Sequence, residues 1–281
     1  MPAGMFRTAL ILGSICVTGP FAIDMYLPAL PAIEEALDVS VSAAQITLVA
    51  YFLAYGVSQL VYGPLSDQIG RKKTLAIGMS IFCVGAVICA VAPDIETLVL
   101  GRLVQGIGGA TVMVIPRAIV RDMYTGAQAT RLMSSIMLVI SVSPMLAPLA
   151  GSAVVSFGSW REIFLALAIL AAATLTMAQI ALPETLTADK RRKVNLRELS
   201  HSCGILFRDP VFVGLTFIAG FGMASFFLFI SSASFVYTGQ FGLTPTEFSL
   251  AFAFNAVGFF IATQAAGRLA DMWGLATLIG R

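Results

Sequence analysis

Residues 63–73 read GPLSDQIGRKK, and residues 267–274 read GRLADMWG. Both stretches fit the pattern G-x-L-[S/A]-D-x-x-G, and each follows a long apolar segment. One such octet can arise by chance, but two octets at corresponding places indicate an internal duplication. We therefore expect two related units, each of which carries the octet directly after its second helix.

The composition places these units in a membrane. Residues of the AVILMFWYC set make up 58% of the 281 positions, whereas charged residues make up only 11%. A soluble domain carries about 25% charged residues because its surface must stay wetted. The chain therefore requires the lipid bilayer as its solvent, and its net charge of +2 gives no reason to expect a nucleic-acid partner.

Eight apolar segments are long enough to cross the hydrocarbon core as helices, which takes roughly 20 residues. They lie at 8–30, 43–66, 74–92, 96–121, 132–156, 161–182, 210–237 and 247–269. The first segment resembles a signal peptide in its apolar stretch after Arg7. It also carries Asp24 and has no clear cleavage site, so we expect it to be retained. The fold class is therefore an all-α membrane protein.

The longest break between segments predicts the domain organisation. It covers 184–208 and holds the basic run 190–193. We expect a six-helix N-terminal bundle over 1–183, a basic cytoplasmic linker over 184–208 and a partial C-terminal bundle of two helices over 209–281. If the two units match, four helices are missing, and the chain is a truncated twelve-helix protein.

The distribution of Lys and Arg predicts the orientation. Under strict alternation of the spans, Arg7, the 71–73 cluster, Arg121, Arg131, the linker and Arg268 fall on one side. The other side carries mostly acidic residues, with Arg161 as the one basic exception. We therefore expect a cytoplasmic N-terminus in the inner (cytoplasmic) membrane of a bacterium. The linker charges have the same explanation, so no substrate role is assigned to them.

The duplicated octet predicts a conformational latch on the cytoplasmic side. Glycine permits a tight turn, and an aspartate at a helix end can accept hydrogen bonds from a neighbouring helix's first turn. The alternative is a plain cytoplasmic turn, which the duplication disfavours. The candidate latch residues are Gly63, Asp67, Gly70, Arg71 and Lys72 in the first octet, and Gly267, Asp271 and Gly274 in the second.

Two charges lie inside apolar segments, Asp24 in the first and Arg102 in the fourth. Both sit roughly 9 Å inside the outer boundary at about 1.5 Å of rise per residue, so they can meet. One interpretation is a structural ion pair that locks the helices. The functional interpretation is that Asp24 binds a proton or a cationic substrate and that Arg102 adjusts its proton affinity.

The remaining candidates concern helix packing and a substrate cavity. Proline in the fifth segment frees a carbonyl and kinks the helix, and small residues let helices approach closely. Tyr51, Tyr55, Met113 and Phe226 would suit a large hydrophobic pocket. The alternative is that these four residues only face lipid or pack against other helices.

Three stretches resemble the major facilitator superfamily. The 63–73 loop is similar to its signature loop, residues 100–106 (LGRLVQG) to its fourth-helix motif and residues 183–186 (PETL) to the usual end of its sixth helix. This resemblance implies the major facilitator fold, and it implies that Arg102 is associated with proton transfer. It also implies that the chain functions as a monomer.

Three further stretches resemble the Bcr/CflA branch of drug:proton antiporters, which is linked to bicyclomycin and chloramphenicol resistance. They are residues 24–31 (DMYLPALP), 117–122 (RAIVRD) and 143–148 (SPMLAP). The resemblance implies that Asp24 is the membrane acid coupled to transport. The proton gradient is then the energy source, and no cofactor is required.

The same resemblance assigns the antiporter motif of the fifth helix to Pro144, Pro148 and Gly151. Two departures from the family pattern occur. Ala147 and Ser152 replace two glycines of the motif, and residues 275–277 (LAT) replace the basic residues expected after the second octet.

The function expected from all of these features is proton-coupled efflux of small hydrophobic or cationic organic molecules by alternating access. An enzyme is not expected, because the single histidine, His201, lies in the basic linker and no buried nucleophile–base pair or metal cluster is present. The four cysteines are not expected to form disulfides. Two alternatives stay open: a non-transporting fragment or pseudo-transporter of the same fold, and an exporter of a cellular metabolite.

Overall fold

The computed structural model describes residues 3–191 and 204–273, and this part of the chain consists of α-helices joined by short connections, without a β-strand. The helices used below are α1 (Ala3–Asp24), α2 (Leu30–Leu37), α3 (Val41–Ile69), α4 (Arg71–Ala90), α5 (Ile95–Gly109), α6 (Thr111–Met123), α7 (Gly126–Phe157), α8 (Trp160–Ala181), α9 (Pro210–Phe235) and α10 (Pro245–Trp273). The all-helical class predicted from the sequence is confirmed.

Within the described ranges, eight helical stretches are long and apolar enough to cross a membrane. Six of them are single helices or nearly so, and two contain a break. The first span runs from α1 into α2 through a 3₁₀ turn at Leu27–Ala29, where Pro28 and Pro31 lack the N–H groups that would continue the helix. The fourth span changes from α5 to α6 at Ala110, just after a cluster of glycines that disfavours helix.

Hydrogen bonds across the connections define the two ends of the bundle. The turn at Gly70, the connection at 124–125 and the segment after Ala181 lie together, and we call this end the latch face. The connections at 38–40, 91–94 and 158–159 lie at the other end, called the opposite face. There, Nη2 of Arg161 donates to the carbonyl of Ala92 at 2.8 Å.

Local sequence explains where the helices start and turn. The side chains of Ser40, Asp94 and Asp209 cap α3, α5 and α9 by accepting hydrogen bonds from first-turn N–H groups. Gly70 joins α3 to α4 at a φ of +100°, in the region that favours glycine. The tight turn predicted within the first octet therefore exists.

Glycines bring α4 and α5 into close contact. A Cβ atom added at Gly108 would collide with the backbone of Phe82, and one added at Gly85 would collide with the backbone of Gln105. Helices in lipid gain stability from such close packing rather than from the exclusion of water. The small residues of the fourth span therefore fix its distance from α4.

The helices α9 and α10 contact the first six spans at specific points. Nε2 of Gln45 donates to the carbonyl of Ser231 at 3.0 Å, and the ring centroids of Phe52 and Phe227 lie 4.1 Å apart. The hydroxyl of Ser249 donates to the carbonyl of Pro148 at 2.9 Å. Much of the surface of α9 is exposed apolar side chain, which is the surface expected of a helix in lipid or against further helices.

Candidate functional site

Asp24 is the last residue of α1, where the first span breaks. The residue is only 5% exposed, and its side chain lines a cavity of about 880 Å³. In the described part of the chain, neither an ion pair nor a hydrogen bond reaches its carboxylate. A carboxylate in this position can take up a proton or face a cation, since either one offsets the cost of burying its charge.

The cavity lies between α1, α6, α7 and α9, and its wall is mainly apolar. Met133 and Met137 of α7 and Phe226 and Phe227 of α9 contribute flexible and aromatic surface. The cavity extends from Asp24 towards the latch-face ends of α6 and α7. Its volume falls in the range of pockets that hold drug-sized molecules.

Arg102 is fully buried on α5, near Asp24 but outside the cavity wall. Its Nη1 atom donates to the carbonyl of Ala22 at 3.0 Å and to Oε1 of Gln105 at 2.6 Å. The guanidinium lies between two aromatic rings, 4.6 Å from the ring centroid of Tyr26 and 4.3 Å from that of Tyr51. Desolvated cation–π contacts of this kind offset part of the cost of burying the charge.

The structure brings Asp24 and Arg102 to the same level but not into contact. Arg102 bonds to Ala22, two residues before Asp24. No ion pair joins the two side chains, so the interpretation as a structural lock between helices is wrong for this conformation. The reason is that the flanking tyrosine rings and Gln105 hold the guanidinium, while Asp24 faces the cavity.

The first octet forms a charge cluster around the buried side chain of Arg71 at the latch face. Nη1 of Arg71 donates to Oδ1 of Asp67 at 2.6 Å and to Oγ of Ser66 at 2.5 Å. Its Nε donates to Oδ2 of Asp122 at 2.8 Å. The hydroxyl of Thr185 donates to the same Asp122 oxygen at 3.1 Å. The cluster therefore joins α3, α4, α6 and the segment after α8.

Glu184 completes this cluster by capping α4. Its carboxylate accepts hydrogen bonds from the backbone N–H groups of Arg71 at 2.9 Å and Lys72 at 3.2 Å. The ammonium of Lys72 donates in turn to the carbonyl of Gln179 at 2.7 Å. An anion at a helix N-terminus satisfies orphan N–H groups and interacts favourably with the helix dipole.

Comparison with known protein families identifies this arrangement of helices and charges. The family model described as Major Facilitator Superfamily matches residues 10–280. The chain belongs to the major facilitator superfamily. It is therefore a multi-pass membrane protein of a family whose members carry small molecules, and both the family and its solved neighbours are transporters rather than enzymes.

Curated relatives place the chain within the Bcr/CflA branch of the superfamily. It is 35% identical over 271 residues to the uncharacterized MFS-type transporter YdgK of Bacillus subtilis, covering 95% of this chain and 67% of the relative. It is 29% identical to a bicyclomycin resistance protein homolog of Haemophilus influenzae, covering 98% and 69%. It is 32% identical to a chloramphenicol resistance protein of Pseudomonas aeruginosa, covering 95% and 63%. The chain thus spans about two thirds of the length of these relatives.

The solved structures confirm the superfamily fold. A bacterial homolog to the human lysosomal transporter Spinster, in an inward-facing and unoccupied conformation, matches with a TM-score of 0.75 at 19% identity, over 97% of this chain and 64% of that chain. The described helices therefore have the arrangement of a major facilitator protein.

The superfamily's second octet is described only in part. Gly267 and Asp271 fall on the last turns of α10, but the surroundings of Gly267 and the side chain of Asp271 lie outside the described part of the chain, as does Gly274. The latch predicted for this half of the major facilitator fold stays a prediction. Residues 192–203 of the linker, including His201 and Cys203, also lie outside the described residues, so the predictions for them stay predictions.

The antiporter-motif helix of the superfamily, α7, contacts both the cavity and the break in the first span. Pro144 lines the cavity. A Cβ added at Gly151 would collide with the carbonyl of Met25, so only a residue without a side chain allows this approach. The carbonyl of Pro148 accepts a hydrogen bond from the hydroxyl of Ser249 of α10.

Of the four side chains suggested for a hydrophobic pocket, one lines the cavity of this superfamily member. Phe226 lies in its wall, whereas Tyr51, Tyr55 and Met113 do not. Tyr51 is fully buried against Arg102, and its ring stacks on that of Tyr55 at 5.8 Å. In this conformation, these two tyrosines pack against other side chains.

Asp122 and Glu184 are the functional candidates that the sequence analysis did not select. Both occur in stretches that resemble the superfamily, but neither was assigned a role. Their signal was present, since each is an acid at the latch-face end of a span, on the side where basic residues prevail. An acid in that position is stabilised by a positively charged partner. Arg71 is the partner of Asp122, and the N–H groups at the N-terminus of α4 are the partners of Glu184.

Proposed function

We propose that the chain is most of a proton-coupled antiporter that expels small organic molecules from a bacterial cell by alternating access. The observation that carries the proposal is the position of Asp24 in the wall of a drug-sized, largely apolar cavity, where its buried carboxylate has no ion partner among the described residues. Drug-resistance relatives in the same branch support it.

Coupling follows from competition for the Asp24 carboxylate. A proton that arrives from outside neutralises the carboxylate and lowers the cost of burying it, so a bound cationic or polar substrate is released. Loss of that proton to the inside restores the charge and the affinity for substrate. The proton gradient then supplies the energy, and no cofactor takes part. Arg102 of α5 adjusts the proton affinity of Asp24, because its guanidinium binds the carbonyl of Ala22, two residues before Asp24 on α1.

The contacts of α9 and α10 fit one state of such a cycle. Their hydrogen bonds to Gln45 and Pro148 close the bundle near the opposite face. The cavity instead reaches Arg121 and Thr130 near the latch face. With the N-terminus in the cytoplasm, as the basic residues favour, this is an inward-open arrangement in the inner membrane.

The domain division belongs to the same proposal. Residues 1–183 form the first bundle, 184–208 the linker and 209–281 the start of a second bundle. The two octets are latches that each hold neighbouring helices together in one conformation, and the working unit is a monomer. The substrate class is a small hydrophobic or cationic organic molecule, because the cavity combines apolar walls with one acid.

Two alternatives remain distinct from this proposal. Because the chain spans about two thirds of its relatives, a fragment or pseudo-transporter that does not transport by itself fits its length. A cellular metabolite as the natural substrate fits the same cavity. Neither alternative requires Asp24 to exchange protons while a drug is expelled.

The test is efflux of a panel of hydrophobic and cationic drugs from energised cells, with and without a protonophore. Cells express the native gene product, the 281-residue chain, or the native product with Asp24→Asn. We expect protonophore-sensitive efflux that Asp24→Asn abolishes. Asp38→Asn is the matched control, since Asp38 is exposed and its left-handed backbone suits asparagine.

Normal drug efflux by Asp24→Asn would exclude the role proposed for this residue. Efflux by the native product but not by the 281-residue chain would identify this chain as an inactive fragment. Absence of drug efflux from both forms would favour the metabolite exporter or the pseudo-transporter.

A further inference from the structure

The register between α1 and α3 places Tyr51 level with the end of α1. At one point of this antiparallel pair, the hydroxyls of Tyr26 and Thr47 are 2.8 Å apart. At another, the Tyr55 hydroxyl lies 3.9 Å from where a Cβ at Gly19 would stand. Tyr51 is one turn before Tyr55 on α3, so it lies opposite residues 22–23, directly before Asp24.

Tyr51 has two ends with different surroundings. Its ring covers the Arg102 guanidinium at 4.3 Å. Its hydroxyl is buried and has no hydrogen-bond partner among the described residues. A buried hydroxyl without a partner is costly, and most such groups in proteins find a protein or water partner.

Of the two other polar side chains at the guanidinium, Tyr26 has a partner for its hydroxyl, whereas Gln105 keeps its Nε2 atom without a partner among the described residues. The Tyr26 hydroxyl is bonded to Thr47, and Oε1 of Gln105 accepts from Arg102. The Tyr51 hydroxyl is therefore the tyrosine donor beside Arg102 that remains available to another group. In the described part of the chain, Asp24 is the carboxylate at this level of the bundle that has no donor of its own.

We propose that Tyr51 is the positioning residue that links Arg102 to Asp24. Its ring holds the guanidinium in place, and its hydroxyl donates a hydrogen bond to the ionised carboxylate of Asp24, directly or through one water. Protonation of Asp24 weakens that bond, so the state of the acid is transmitted to the packing of α5 against α3. This inference rests on the proposed function, in which Asp24 exchanges protons.

Other groups face the same region from the surrounding helices. The titratable and charged ones are Cys16 and Asp24 of α1, Tyr26 after it, Tyr51 and Tyr55 of α3, Cys89 of α4, Arg102 of α5, and Arg117 and Arg121 of α6. Asp24 is the one carboxylic acid in this set. A readout specific to carboxylic acids therefore reports on Asp24 without interference from these neighbours.

The experiment measures proton occupancy of Asp24 without transport. A hydrophobic carbodiimide reacts with protonated carboxyl groups in membranes, and labelling of Asp24 is followed by mass spectrometry of the native gene product over a series of pH values. Asp24→Asn shows which signal belongs to this residue. Tyr51→Phe keeps the ring over Arg102 and removes only the hydroxyl.

We expect Tyr51→Phe to move the labelling midpoint to higher pH by about one unit, a tenfold change in proton affinity, because the ionised form loses a donor. Tyr26→Phe is the matched control, since it keeps its ring on Arg102 and loses only the bond to Thr47, and we expect an unchanged midpoint. Gly109→Ala is a second variant, because its Cβ would stand 2.8 Å from the Tyr51 hydroxyl and displace it. We expect it to shift the midpoint in the same direction.

Unchanged midpoints in both Tyr51→Phe and Gly109→Ala would overturn the inference. An equal shift in Tyr26→Phe would overturn it as well, since the effect would then come from the stacking on Arg102 and not from the hydroxyl. If Tyr51→Phe does not reach the membrane, the Gly109→Ala result decides. The proposed function is tested separately. It fails if the wild type shows no protonophore-sensitive efflux, whatever the labelling midpoints are.

Discussion

The Nε atom of Arg71 lies 2.8 Å from Oδ2 of Asp122, which ties the turn after α3 to the latch-face end of α6. Arg71 also binds Asp67, four residues earlier in the chain, at 2.6 Å. The side chain of Asp122 is 19% exposed and that of Asp67 is 53% exposed. One guanidinium thus serves two carboxylates that differ in their access to water. Because water screens the exposed pair, the two bonds differ in strength.

Double-mutant cycles on the two pairs test this difference. For Arg71→Ala combined with Asp122→Ala we expect a coupling energy of about 1–3 kcal/mol, the range of residues that share a buried polar network. For Arg71→Ala combined with Asp67→Ala we expect less than about 1 kcal/mol, as for other exposed ion pairs. The measurement is the free energy of unfolding in mixed micelles. A larger coupling to Asp67 than to Asp122 would contradict the assignment.

The close approach of α4 and α5 predicts an intolerant glycine. In Gly108→Ala the new methyl group would overlap the backbone of Phe82, which cannot move aside as a flexible side chain can. We expect a loss of about 1–3 kcal/mol in unfolding free energy, the usual cost of overpacking. Gly56→Ala on α3 is the control, since no atom of the described residues lies within 4 Å of the added Cβ. Destabilisation of Gly56→Ala equal to that of Gly108→Ala would contradict the packing argument, because alanine in open space only raises helix propensity.

The spans and the fold class follow from the sequence because their causes are local. Hydrophobic length alone selects a membrane helix, and the eight spans lie where that rule places them. The break at Leu27–Ala29 was not predicted, although Pro28 and Pro31 signal it. Proline marks where a helix can end. It does not show whether packing will hold the two parts in line as one span.

The site was predictable only in part, because contacts between distant segments decide it. Burial of Asp24 follows from its apolar surroundings in the sequence. The partners of Arg102 do not, since equal depth allows both a salt bridge to Asp24 and a place between the rings of Tyr26 and Tyr51. The rotation of each helix about its own axis decides between these two outcomes. For Arg102 this rotation is set by the packing of α3 against α5. The partnership of Glu184 with the α4 N-terminus has the same origin.

Asp94 predicts a pH-dependent helix start at the opposite face. The backbone N–H of Thr97 donates to Oδ1 of Asp94 at 2.8 Å and holds the pKa of that carboxyl below its ordinary value. A depressed pKa in the folded state contributes stability above the unfolded pKa, and this contribution is lost as the pH falls below about 4. Asp94→Asn keeps a capping oxygen that does not titrate.

We therefore expect the wild type to lose more thermal stability than Asp94→Asn when the pH is lowered from 7 to 3. Thermal unfolding in detergent, followed at a series of pH values, measures this difference. Asp38→Asn serves as the control, because Asp38 caps no helix N-terminus. A difference that is constant over the pH range would show that the Thr97 hydrogen bond does not depend on the charge of Asp94.

The place of Arg102 between two rings predicts that lysine cannot replace it. Arg102→Lys keeps the positive charge but loses the planar group that stacks on Tyr26 and Tyr51. We expect a loss of about 2 kcal/mol in unfolding free energy, the size of a desolvated cation–π contact. Drug efflux, measured in parallel, should fall with it.

Arg161→Lys is the matched comparison for this prediction. Arg161 also covers a ring, that of Trp160 at 4.1 Å, and donates to the carbonyl of Ala92, but it is only partly buried. We expect a loss of about 0.5–1 kcal/mol there, as for cation–π contacts open to water, with efflux retained. If Arg102→Lys were no more destabilising than Arg161→Lys, burial would not strengthen the contact, and the tyrosine rings could not be what holds Arg102 away from Asp24.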